Sequence, residues 1–336
     1  MTMVLGLFSL ALGPACATGH RGPITDHFDG ETFSNQPGVP PRKGFAAALK
    51  MKFEASGAWP DHVDAPFGPK PPTRNGLNEL RATFVGHATV LLQQDGVNIL
   101  TDPVWSGRIG PYPWLGIKRR RPPGIRFEAL PPIEVVLLSH DHFDHLDLPT
   151  IRRLVAAHPE AVFVMGLGTR AFLMKEGIEA RMIELDWWQS AQLDGLEITA
   201  VPAAHWSGRG PISNRRLWVG FTIRGPSGLT YFAGDTGFGP HFEQIRERLG
   251  APRLAILPIG AYRPRDFMSP QHIDPKEVVD AAKSIGAEIS LPIHYGTFKL
   301  SGEGFADPIR DLAKALALES EPPRFWLLYA GEGRDL

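Results

Sequence analysis

The sequence predicts an α/β chain folded as a four-layer αβ/βα sandwich. Three observations lead there. Short β-rich runs separated by turn residues fill two halves of the chain, the first beginning near Arg81 and the second near Val162. Segments with helical spacing fall between those runs. Polar residues that bind metals follow the ends of apolar runs. Two sheets that each bury one face bury it against each other, and helices then cover the outer faces, leaving a site at the strand ends.

The elements follow in chain order. Met3 to Leu12 is a short apolar stretch ending in Gly13-Pro14-Ala15-Cys16. It is too short for a bilayer that needs about 20 residues. Two readings stand for residues 1–25: an export signal, with attachment to a membrane through a lipid-modified Cys16, or a frayed tail on a cytoplasmic or peripheral membrane protein. No cation precedes the stretch, and the first is Arg21. Residues 26–336 are read as a single domain. Up to about residue 80 the chain is rich in Pro, Gly and charge and reads as extended wrapping.

The runs RATFVG, TVLLQQ and VNILT form a strand meander. A loop is expected from Trp105 to about Pro132. IEVVLLS is a buried strand, and LPTIRRLVAA has helical spacing with Pro149 in its first turn. VFVMG, LEITAV, LWVGFTIR and LTYFAG read as strands, and PHFEQIRERLG as a helix closed by Gly250. RLAILPIG, EISLPIH and RFWLLYA read as buried strands. DPKEVVDAAKSIG is a helix with Asp274 as N-cap, Pro275 in first position and Gly286 after its end.

Composition narrows the function. The 336 residues carry 35 Lys+Arg against 36 Asp+Glu, a net charge of -1, which argues against bulk nucleic-acid binding. Cys16 is the sole cysteine, so any metal must be held by histidine and carboxylate. There are 12 histidines, and their placement is informative.

One segment dominates: His140-Asp141-His142-Phe143-Asp144-His145, directly after an apolar strand. Strand side chains repeat every two residues, so His140 and His142 face the same way, while Asp144 and His145 turn off the strand toward a second metal. Four potential ligands beside an apolar strand are costly to bury without a partner. His205, Asp235 and His294 each follow a later β-rich run, as ligands delivered to one edge would.

These residues carry a family resemblance. The HxHxDH segment, the later histidines and the Gly-Asp pair resemble the metallo-β-lactamase superfamily. The strings GHATVLL, NILTDPVWS, PAAHWSGRG, FAGDTGF, QHIDPKEVV and PIHYGTF resemble its N-acylphosphatidylethanolamine-hydrolysing phospholipase D branch over roughly residues 27 to 310. The resemblance implies the αβ/βα sandwich and two zinc ions. It implies that His140, His142 and His205 hold one zinc, that Asp144, His145 and His294 hold the other, and that Asp235 bridges them. The N-terminus departs from the family.

Imidazole and carboxylate without thiolate suit Zn²⁺, with Fe or Mn as alternatives. Two such metals share a bridging hydroxide at neutral pH, which attacks phosphorus or carbonyl. Asp144, Asp235 and His272 are the catalytic candidates. Asp102, in LTDP, is expected to orient a ligand histidine or else to cap the turn at Pro103. His87 is either an outer partner of the site or a plain turn residue. Tyr262, Arg263 and His272 lie in a loop that either meets substrate and delivers a proton or is simply surface. The run Lys118-Arg119-Arg120-Arg121, with Trp105, Tyr112 and Trp114, suits an anionic bilayer surface.

The leading expectation is a binuclear zinc phosphodiesterase acting on phospholipids. A zinc hydrolase of a lactone or amide is the alternative within enzymes, and a metal-stabilised binding protein the alternative outside them. A nucleic-acid substrate is disfavoured.

Overall fold

The computed structural model describes residues 19–41, 57–112, 114–209 and 212–336. The apolar stretch at Met3 to Leu12 and Cys16 lie outside them. Strands β1 (Leu80–Gly86), β2 (Thr89–Gln94) and β3 (Val97–Thr101) form the expected meander. Next come the strands β4 (Arg108–Tyr112) and β5 (Leu115–Lys118), then β6 (Val135–Leu138), helix α1 (Leu148–Ala157) and β7 (Val162–Gly166). Helix α2 (Thr169–Lys175) precedes β8 (Arg181–Leu185), β9 (Ser190–Leu193), β10 (Leu196–Val201), β11 (Gly220–Gly225) and β12 (Gly228–Phe232). The chain continues through α3 (His241–Leu249), β13 (Leu254–Pro258), α4 (Arg265–Met268), α5 (Pro275–Ile285), β14 (Ile289–Ile293), α6 (Asp307–Ala317) and β15 (Gly333–Asp335).

Two sheets result, ordered β15-β1-β2-β3-β6-β7-β8 and β14-β13-β12-β11-β10-β9. Alternation along the strands makes the layers. Val135 and Leu137 of β6 join the core between the sheets; Val136 and Leu138 join a second core with Ile151 and Leu154 of α1 and Phe172 of α2. Beyond the other sheet, Val278 and Ile285 of α5 and Leu312 of α6 are buried. The layers are those of the predicted sandwich. Helix α5 has the predicted caps: the Asp274 carboxylate accepts from the Lys276 and Glu277 amides, the Asp274 amide donates to the Glu277 carboxylate, and Gly286 is left-handed.

Several elements differ from expectation. The region after Trp105 is not all loop: β4 and β5 form a hairpin apart from both sheets, and Phe127–Ala129 is a 3₁₀ turn. Glycines and Pro111 hid its alternation. RFWLLYA is not a strand but an extended segment beside β14, joined through Ser290 while Leu327 and Tyr329 face solvent. Strands β8 and β9 and helices α2 and α6 were not anticipated; β8 and β9 are only partly buried and lack a clear apolar period.

Residues 19–41 have no helix but are tied down. Phe28 and Phe33 are buried, and the His27 ring stacks on Trp187 at 4.4 Å. His27 faces Asp26 at 2.6 Å and Asp186 at 2.8 Å. Burial pulls its pKa down, but the Asp186 and Asp26 carboxylates outweigh this and raise it above 6.5. A raised histidine pKa contributes stability that is complete below the unfolded value and lost as pH rises through the folded one. Melting temperature is therefore expected to fall as pH rises from about 6 to 8, and His27→Gln to flatten that slope in thermal melts.

Candidate metal centre

The first sheet runs β3, β6 and β7 parallel, and the second runs β12, β13 and β14 parallel with β10 pointing the same way. Asp102, His140, His205, Asp235 and His294 therefore leave their strands at one edge of the sandwich. The ends of β6 and β12 meet closely there. Gly234 has φ +61, and a Cβ on it would lie 2.6 Å from Ser139 Cβ, so only glycine seats Asp235 beside the histidine segment. His87, Asp102, Ala261 and His294 also have left-handed backbone, at φ 56, 32, 58 and 66. Such strain costs about 1–3 kcal/mol per residue and clusters at functional sites.

Two triads converge. His140 Nε2 lies 2.8 Å and His205 Nε2 lies 3.2 Å from His142 Nδ1. In the second, Asp144 Oδ2 lies 3.5 Å from His145 Nε2 and 3.3 Å from His294 Nε2. Asp235 Oδ2 stands between them, 3.1 Å from His145, 3.2 Å from His294, 3.8 Å from His205 and 3.9 Å from His140. These groups are within reach of common cations. His145 Nε2, His294 Nε2 and Asp235 Oδ1 are buried without hydrogen-bond partners, as cation ligands aimed into a shared volume are. The donor set fits metal ions.

The outward ring nitrogens fix the tautomers, read from the acceptors they face. His145 Nδ1–H donates to Asp102 Oδ2 at 2.6 Å, and His205 Nδ1–H donates to the Gln271 carbonyl at 2.8 Å. His140 Nδ1–H donates to Ser139 Oγ at 2.9 Å, whose hydroxyl donates to Asp102 Oδ2 at 2.5 Å. Each bond leaves an Nε2 lone pair facing the cluster. Ser139 and Gln271 were missed from sequence: one is an ordinary serine beside the motif, and the other acts through its backbone. His87 is not a plain turn residue, since its Nε2 lies 2.9 Å from Asp144 Oδ2.

Burial opposes ionisation of Asp144 and Asp235, but the histidines facing them, His145 foremost, outweigh it and hold both well below the carboxylate range. Burial likewise lowers His294, yet Asp235 and Asp144 lift it to about 9. Burial dominates at His140, His142 and His272 and keeps them neutral. His87, buried and close to His294, is lowered to about 3.

A cleft of about 550 Å³ opens over the cluster, walled by the β4–β5 hairpin, Phe143, Trp206, Met268 and Leu300. His272 lines it, with Nδ1 4.0 Å from Asp235 Oδ2. Tyr262 and Arg263 do not reach it, contrary to expectation. Tyr262 is buried and donates to Asp311 Oδ2 at 2.7 Å, and Arg263 pairs with Asp307 and Asp311 of α6. Their neighbour Ala261 lines the cleft instead.

Residues 97–295 match the family model described as the Beta-lactamase superfamily domain. The chain belongs to the beta-lactamase superfamily. It has the fold of that superfamily and, at one sheet edge, His/Asp clusters able to hold metal ions. It is 40% identical over 246 residues to an uncharacterised protein of Mycobacterium tuberculosis, covering 72% of this chain and 65% of that protein. The chain thus spans slightly under two-thirds of that relative's length. It is 40% identical over 248 residues to the N-acyl-phosphatidylethanolamine-hydrolyzing phospholipase D 1 of Caenorhabditis elegans, covering 70% of this chain and 69% of that one. A metallo hydrolase from the archaeon Ignicoccus hospitalis shares the fold at a TM-score of 0.56 and 24% identity, over 77% of this chain and 98% of that one.

Proposed function

We propose that the protein is a binuclear zinc phosphodiesterase of the phospholipase D type, acting on N-acylphosphatidylethanolamine-like phospholipids. The observation that carries this reading is the single Asp235 carboxylate oxygen set between two ligand triads beneath an apolar-walled cleft. His140, His142 and His205 would hold one ion and Asp144, His145 and His294 the other, with Asp235 shared. Zinc held there lowers the pKa of water to about 7 and polarises a phosphoryl oxygen. Asp102 and the Gln271 carbonyl keep protons on the outer nitrogens of His145 and His205, so the inner lone pairs stay directed inward. His272 handles a proton at the cleft wall: burial keeps it neutral in the free protein, and an anionic phosphodiester facing Nδ1 raises its pKa. Ile109, Ile117, Phe143, Trp206, Met268 and Leu300 exclude water and suit an acyl chain.

The test is a turnover screen on purified, zinc-loaded protein with elemental analysis alongside. Two zinc ions per chain and release of phosphatidic acid from N-acylphosphatidylethanolamine are expected. Turnover of a lactone or amide with no phospholipid cleavage would replace the phosphodiesterase reading by the carbonyl one. Fewer than two metals after reconstitution would remove the binuclear site.

The same reading places the protein at a bilayer, but not through the four-cation run. Arg119 is 8% exposed and donates to the Val104 and Ser106 carbonyls. Arg120 pairs with Asp61, Arg121 lies over the Phe305 ring, and Trp105 donates to the Ile125 carbonyl; Lys118 alone of the run is exposed. The hairpin that walls the cleft instead presents Trp114, 74% exposed, stacked on Tyr112 at 5.4 Å. Burying such a side chain is worth about 2 kcal/mol. Changing both Tyr112 and Trp114 to Ala is expected to weaken sedimentation with anionic vesicles more than about 10-fold. Equal binding would leave the hairpin as a wall of the cleft only.

A further inference from the structure

The loop that carries His205 leaves β10 and, among the described residues, pairs with no strand. One side of it is held by the Asp235 loop: the Ala204 amide donates to Thr236 Oγ1 at 2.9 Å, and the Gly237 amide donates to the Ala204 carbonyl at 2.7 Å. The other side meets the segment 19–41. The His205 amide donates to Asn35 Oδ1 at 3.0 Å, and Asn35 Nδ2 donates to the His205 carbonyl at 3.0 Å. The two bonds close a ring on the N–H and C=O of one residue, as a paired strand would. The Asn35 amide is itself oriented, because the buried Trp218 indole N–H donates to the same Oδ1 at 3.0 Å and to the Ala203 carbonyl at 2.9 Å. With Oδ1 facing two donors, Nδ2 is left for the carbonyl. Two residues before Asn35 the segment is anchored by the buried Phe28–Phe33 pair and by the Phe33 amide, which donates to the Asn214 carbonyl at 2.7 Å.

We propose that Asn35 is a positioning residue for His205. The segment 19–41, which lies before residues 97–295 matched by the family model, thereby supports the metal centre. Asn35 holds the backbone, Gln271 holds Nδ1, and together they leave the His205 ring one direction in which to aim Nε2. The inference rests on the proposed metal site, and its test separates the two.

The experiment uses the full chain and three variants: Asn35→Ala, Asn35→Asp and, as a control for lost stability, Ile285→Val in the remote core of α5. Zinc retention is read by titration with a chromophoric chelator, and exchange of the His205 amide by hydrogen–deuterium exchange of the metal-free chain. One of two zinc ions is expected to leave Asn35→Ala about 10-fold more readily, the lower end of the range for an outer partner of a ligand. The second ion and the Ile285→Val control should behave as in the unaltered chain. Asn35→Asp keeps the acceptor but sets a carboxylate oxygen against the His205 carbonyl, so it should release zinc at least as readily. The His205 amide should exchange faster in Asn35→Ala. Wild-type zinc retention and wild-type amide exchange in that variant overturn the proposal, as does a zinc loss that Ile285→Val reproduces. If the unaltered chain holds fewer than two zinc ions, the metal reading fails. The exchange result then decides whether Asn35 holds His205.

Discussion

Asp235→Ala is expected to lose both metals, or to keep one weakly, and to lose hydrolysis by more than about 10³-fold, since the metal ions released are the groups that would stabilise developing negative charge, and one such group alone is worth about 10²–10³-fold. One oxygen of this side chain faces four of the proposed ligand nitrogens within 3.9 Å, belonging to both triads. His142→Ala, by contrast, removes a group from one triad and should leave the other ion in place. Both variants should keep their circular dichroism, because Asp235 and His142 sit on loops at the sheet edge and not within the cores. Elemental analysis after dialysis checks the difference. Two metals retained by Asp235→Ala would show that the carboxylate bridges nothing.

Asp102→Asn is expected to weaken metal binding by roughly 10–100-fold and to keep the fold. The carboxylate accepts three bonds. Oδ1 takes the Ser139 amide at 2.7 Å, and Oδ2 takes the Ser139 hydroxyl at 2.5 Å and His145 Nδ1–H at 2.6 Å. An asparagine has one acceptor oxygen. In one orientation its NH₂ meets the Ser139 amide, leaving a buried donor unpaired at about 1–3 kcal/mol. In the other it faces His145 Nδ1 and drives the proton to Nε2, where it blocks the lone pair meant for the metal. Chelator titration and thermal melts with and without zinc separate the two costs. Unchanged affinity would leave Asp102 as the cap of the Pro103 turn.

The sequence alone determined the layers and the address of the site. Apolar runs such as VFVMG and EISLPI become strands because nothing in them competes with burial, and DPKEVVDAAKSIG carries its own start and stop. His140, His142, Asp144 and His145 were legible because they crowd beside such a run, and His205, Asp235 and His294 because each follows one. These are local signals, set by side-chain period and by the cost of burying polar groups. What each group touches was decided by tertiary structure. The run from Lys118 to Arg121 reads as one patch, yet Arg119 turns inward to backbone carbonyls and Arg120 outward to Asp61. Tyr262 and Arg263 stand in the right loop and face α6, because Asp307 and Asp311 wait there. Asn35 lies 170 residues before the histidine it meets. Nothing in its neighbours marks it, because a hydrogen bond between distant segments exists only once the sheets have stacked and brought them together.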